Sequence, residues 1–107
     1  MTTLDSFLEF LPDDVQLLDG HQQTPNTIFL SFTEEEFLKI LNHQLVNKFS
    51  FRYLEEKHPP NILIHLFFTH NDGNIQVSIN VKNRTAEFNQ QITKLFPSAA
   101  LYLESIE

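Results

Sequence analysis

Imidazoles and carboxylates are the chain's main supply of titratable chemistry: it has five His and fourteen Asp and Glu, and no Cys. His58, His65 and His70 follow one another closely, with Glu55 and Glu56 just upstream. Such side chains ligate zinc, and a closed site takes about four of them. The spacing works against one here. His65 and His70 are five positions apart on a run that reads as one strand, so their side chains leave opposite faces. His58 and Glu56 could meet in a loop, but two ligands do not make a site. Surface imidazoles are expected instead, with His65 half-buried and hydrogen-bonded. Nucleophilic catalysis has no better footing, because Ser6, Ser31, Ser50, Ser78, Ser98 and Ser105 lack the Gly-x-Ser-x-Gly elbow. With two Gly in the chain, a loop that cradles phosphate is excluded. Asp13-Asp14 and Glu55-Glu56 read as solvated turns and Glu34-Glu35-Glu36 as a helix start, since no partner is evident that would tune an acid/base pair. The lack of Cys excludes disulfides, thiolate catalysis and iron–sulfur ligation. No catalytic, cofactor-binding or metal-ligating residue is expected.

The charge balance narrows the partners. Seven Lys and Arg against fourteen Asp and Glu leave a net charge of −7. A nucleic-acid backbone calls for a basic surface, so no nucleic-acid partner is expected. Docking on anionic lipid is disfavoured for the same reason. No apolar run approaches the roughly 18 residues of a membrane span, and the N-terminus lacks the pattern of a signal peptide. A soluble cytoplasmic domain without direct membrane insertion is expected, and 107 residues suit one domain.

The elements that would position any site centre on residues 61–82. Ile75, Val77, Ile79 and Val81 alternate with Gln76, Ser78, Asn80 and Lys82, the pattern of a strand with one face buried and one wet. Upstream, Ile62, Ile64, Leu66 and Phe68 share one face and Leu63, His65, Phe67 and Thr69 the other, which predicts an inner strand covered on both sides. Asp72-Gly73 between the two arms is a hairpin signal, because Gly takes positive φ without steric cost. Leu4, Phe7, Leu8 and Leu11 predict a short helix that Pro12 ends, capped by Thr2 or Thr3. Val15–Leu18 reads as a short strand, residues 19–26 as a polar loop, and Thr27–Phe32 as a strand pairing antiparallel with the first. Thr33 and Glu36 form a capping-box pattern for a helix that runs to about Asn47. Phe49, Phe51 and Tyr53 alternate with Ser50 and Arg52, predicting a third strand with Arg52 facing solvent and Tyr53 in the core. Glu55–Pro60 then reads as a loop that its prolines stop. Phe88, Ile92 and Leu95 predict a helix over 86–95, and Ser98 opens a helical tail. The order is helix, two strands, helix, three strands, helical tail. The expected class is α+β, with helices on one face of a mixed or antiparallel sheet.

The end of this order carries a family resemblance. Leu95-Phe96-Pro97-Ser98-Ala99-Ala100-Leu101-Tyr102-Leu103-Glu104 resembles the segment Pro-x-Ala-x-Trp-x-Glu-Arg-Glu that follows a hairpin in the C-subunit family of NADH dehydrogenase (respiratory complex I). The short relatives in energy-converting membrane-bound nickel–iron hydrogenases share that segment. Pro97, Ala99 or Ala100, Tyr102 in place of the Trp, and Glu104 match with a one-residue slip. Upstream, the amphipathic helix over 34–47 and Phe51-Arg52-Tyr53-Leu54 match as well. Ser105 and Ile106 stand where Arg and Glu are expected, and the family's following Asp-(Met/Leu)-Phe-Gly stretch has no counterpart, so the resemblance is to the short form. It implies a cofactor-free, non-catalytic subunit that packs against a large hydrogenase-like or complex I-type subunit and helps hold it to the cluster-bearing subunit. The implied partner interface comprises Phe51, Arg52 and Tyr53 at a strand edge and Pro97, Tyr102 and Glu104 in the tail. The alternative reading is a stand-alone acidic inhibitor or immunity-type protein, whose charge steers it to a basic partner. A third is a small hydrolase using a His and a carboxylate.

Overall fold

Every strand that carries an alternating pattern turns its apolar residues to the same side, and the helices follow them there. The structure, a computed structural model, describes residues 3–56, 61–70 and 73–106. The elements are α1 (Thr3–Leu8), β1 (Asp19–Thr24), β2 (Thr27–Thr33), α2 (Glu34–Leu41), a 3₁₀ helix (Gln44–Lys48), β3 (Phe49–Glu56), β4 (Ile62–His70), β5 (Gly73–Lys82), α3 (Ala86–Leu95) and α4 (Ala99–Ile106). The five strands form one sheet in the order β1-β2-β5-β4-β3. Three pairs are antiparallel and β2–β5 is parallel, so the sheet is mixed. This is the expected α+β class.

Ile28, Leu30 and Phe32 of β2, Ile62, Ile64, Leu66 and Phe68 of β4, and Ile75, Val77, Ile79 and Val81 of β5 are all buried on one face. Phe7 of α1 stands edge-on to Phe68, their centroids 4.9 Å apart. Phe37 of α2 lies between Phe32, 6.1 Å away, and Phe88 of α3, 5.9 Å away. Ala99 and Leu103 of α4 close the same core. Aromatic rings dominate it, and each fully buried side chain of this size contributes roughly 1.5–3 kcal/mol.

Several local expectations shift. Residues 15–18 form no strand; Val15 and Leu17 pack irregularly against the core. The strand is the polar segment 19–24, paired antiparallel with β2 and closed by Pro25 and Asn26. Its side chains carry no apolar period because most stay exposed at the sheet edge. Helix α2 stops at Leu41. The Asn42 side chain donates back to the Leu38 carbonyl at 2.9 Å, and His43 Nδ1 accepts from the Leu45 N–H at 3.0 Å, starting the 3₁₀ turn. Side chains that bond the local backbone end helices in this way. Half of the capping box is present: Thr33 Oγ1 accepts from Glu36 N–H at 3.3 Å. The Glu36 carboxylate instead accepts from Gln16 N–H at 2.8 Å and pairs with Lys39 at 2.9 Å. Strand β3 runs on through Glu55 and Glu56, in place of the loop expected there. The expected cap Thr2, the prolines Pro59 and Pro60, and the turn residues Asn71 and Asp72 lie outside the described residues. Gly73, at φ +136°, already opens β5 opposite His70.

Two corrections bear on function. Strand β4 is an inner strand as expected, but it is covered on one side only; Leu63, His65 and Phe67 on its other side are half-buried. Tyr53 is not in the core. A β-bulge at Arg52 shifts the β3–β4 register, so Phe51 opposes Leu66 and Tyr53 opposes His65. The extra residue reverses the alternation: Leu54 enters the core, and Arg52 and Tyr53 both lie on the face without helices.

Candidate functional site

The helix-free face of the sheet brings together an imidazole, a hydroxyl, a carboxylate and a guanidinium. β4 supplies Leu63, His65 and Phe67, β5 supplies Gln76, Ser78 and Asn80, and β3 supplies Arg52, Tyr53 and Glu55. The antiparallel register sets His65 directly opposite both Ser78 and Tyr53. Tyr53 stacks on the His65 ring, centroids 4.1 Å apart at 21°. The Arg52 guanidinium lies 4.7 Å from the Phe67 centroid and 5.6 Å from that of Tyr53. One of its nitrogens, Nη1, donates to Gln76 Oε1 at 3.0 Å. These contacts hold an exposed, long side chain in one place, with the ring quadrupole favouring the cation. Further along the sheet His21 stacks on Phe29 at 5.1 Å.

His65 is the titratable centre of the face. Ser78 Oγ and His65 Nδ1 share a hydrogen bond of 3.0 Å, and His65 Nε2 lies 3.8 Å from Glu55 Oε2. A serine, an imidazole and a carboxylate in a row are the elements of nucleophilic catalysis. Both β4 and β5 are inner strands, so their ladder N–H groups are engaged and do not form an oxyanion hole. The arrangement orients the imidazole between two polar neighbours and fixes the Tyr53 ring on it. Among the described residues no three of His, Asp and Glu come together as metal ligands. His58, a metal candidate from the sequence, and the side chain of His70 lie outside the described residues.

The six residues of the expected interface divide between the two faces. Arg52 and Tyr53 belong to the helix-free face. Phe51 points the other way, packing against Phe96 at 6.0 Å and Tyr102 at 5.8 Å. Its half-buried ring is thus enclosed by the chain's own tail. Pro97 is exposed at the start of that tail, and Tyr102 keeps part of its surface on α4 beside the fully outward Leu101, 74% exposed. Glu104 belongs to α4, and its side chain lies outside the described residues.

No family model matches the chain, and no curated protein or solved structure matches it either. The functional reading therefore stands on the residues themselves.

Sequence reasoning missed the Ser78–His65–Glu55 row and the aromatic frame around Arg52. The first depended on the turn: the observed pairing of His70 with Gly73 sets His65 opposite Ser78, whereas the turn centred on Asp72-Gly73 that the sequence suggests sets it opposite Asn80. The second depended on the bulge, for which the sequence carries no signal beyond Leu54 following Tyr53.

Proposed function

We propose that the chain is a non-catalytic scaffold subunit of a membrane-associated electron-transfer complex, of the energy-converting hydrogenase or NADH dehydrogenase type, and that it packs against the large catalytic subunit. One observation carries this reading. The two stretches that resemble the C-subunit family, 51–54 and 95–104, lie far apart in the chain and meet in space, with the Phe51 ring between Phe96 and Tyr102. Packing between the two stretches supports the reading, because Tyr102, which matches the family's Trp in the resemblance, is one of the two rings against Phe51. The polar groups of the helix-free face agree with a binding role. Several of them bond one another across β3, β4 and β5.

The test is affinity recovery of the tagged full chain from its native host, with mass spectrometry of what accompanies it. A hydrogenase-like or complex I-type large subunit is expected. Recovery of a single basic soluble protein with no redox subunit would refute the scaffold reading and favour an acidic inhibitor or immunity-type protein.

A further inference from the structure

We infer that the helix-free face of the sheet, with Arg52 at its anchor, is the surface that docks the protein partner, and that the partner presents a carboxylate to Arg52 from an apolar surround. This rests on the scaffold reading above and specifies the surface. The α4 flank is the rival. There Leu101, Leu95 and Tyr102 are exposed, but Phe51 is already engaged by Phe96 and Tyr102 and neither α3 nor α4 carries an arginine.

The helix-free face offers a different composition. Phe67, Tyr53 and Leu63 are half-buried with no helix over them. Arg and Tyr are the residue types that dominate the binding energy of protein interfaces. Charge decides what the partner brings. The chain carries −7, yet the described charges on this face are Asp19 and Glu55 against Arg52 and Lys82. It is electrically balanced on an acidic protein. The described partners of Arg52 are two rings and an amide oxygen; among the described residues no carboxylate pairs with it. A guanidinium has five donors in a planar fork, matched to a carboxylate. Its placement by Phe67 and Gln76 lowers the ordering cost of binding. Two copies of this chain, each strongly negative, repel one another, so a second copy is the less favoured occupant.

The experiment introduces a photoreactive benzophenone side chain in place of Leu63, on the helix-free face, or of Leu101, on α4, in the full chain expressed in its native host. Crosslinking of the large subunit from position 63 and not from 101 is expected. Arg52→Ala should lower recovery of that subunit at least tenfold, with Arg52→Lys intermediate and circular dichroism unchanged in both. Crosslinking from 101 alone, with Arg52→Ala recovering the subunit fully, would overturn this inference and leave the scaffold reading intact. Crosslinking of one copy to another from position 63 would overturn it in favour of self-association. If the wild-type chain recovers no redox subunit, the scaffold reading fails and this inference fails with it.

Discussion

Phe67 and Phe68 are neighbours in sequence and lie on opposite faces, which makes them a paired probe of the whole arrangement. Phe68 is fully buried, its ring 4.9 Å from Phe7, 5.2 Å from Phe49 and 5.3 Å from Phe10. Truncating a core Phe to Ala costs about 3–5 kcal/mol through lost transfer energy and the cavity left behind. Three aromatic neighbours place Phe68→Ala toward the upper part of that range, and a domain of this size has only about 5–15 kcal/mol in total. With a urea slope of about 2 kcal/mol/M for a small domain, Phe68→Ala should lower the unfolding midpoint by about 2 M. Phe67 is half-buried, and its main described contact is the Arg52 guanidinium. Phe67→Ala therefore forfeits a fraction of the transfer energy and one cation–π contact, about 1–1.5 kcal/mol together, or a shift of well under 1 M. Urea titrations followed by far-ultraviolet circular dichroism measure both. Equal shifts for the two variants would mean that the face bearing Phe67 is covered, and the docking argument would lose its basis.

Three further outcomes follow from the polar contacts. Thr85 caps α3 by accepting from Phe88 N–H at 3.4 Å while its own N–H and hydroxyl donate to Glu34 at 2.7 and 2.8 Å; Thr85→Ala should cost about 1 kcal/mol, read as a lower melting temperature. Arg84 donates to Asn89 at 3.0 Å and to Glu56 at 3.3 Å with its side chain 13% exposed, so Arg84→Met should destabilise by about 1–3 kcal/mol in urea unfolding at pH 7. Hydrogen bonds from Lys39 and then from Gln16 N–H hold the Glu36 carboxyl below its ordinary value of 4.5. A lowered carboxylate pKa favours the folded state above the unfolded value, and that advantage fades as pH falls through the folded one. Glu36→Gln should accordingly lower the urea midpoint at pH 7 and differ less from wild type at pH 3; an equal difference at both would refute the assignment.

The legible parts of the fold were those where burial and chemistry agree. The alternation from Ile75 to Lys82 marked β5, and Phe88 and Ile92 marked α3, because in both elements one face meets the core and the other meets water; Leu95, the third residue of the α3 pattern, is exposed. β1 was illegible because an edge strand can be held by its ladder alone, and Asp19–Thr24 buries little side chain to leave a pattern. The end of α2 was missed because leucines at 41 and 45 keep helical spacing, while Asn42 and His43 turn the backbone between them. For the candidate site, the residue types were visible and their sides were not. One inserted residue at Arg52 moved Tyr53 from the expected core to the helix-free face and put Leu54 in its stead.

The parallel pairing of β2 with β5 has a consequence for how the chain acquires its structure. Within the β1–β2 and β4–β5 hairpins the closest pairs are three positions apart, Thr24 with Thr27 and His70 with Gly73. The β2–β5 seam pairs Thr27 with Gln76, 49 positions away, and holds that separation along its length. Each hairpin can zip from its own turn, but the seam must close a long loop before any of its contacts repays the entropy. The two halves of the sheet thus assemble early and join late. Weakening a contact within a hairpin, made before the seam, should therefore slow refolding, whereas weakening a contact made only across the β2–β5 seam should chiefly hasten unfolding.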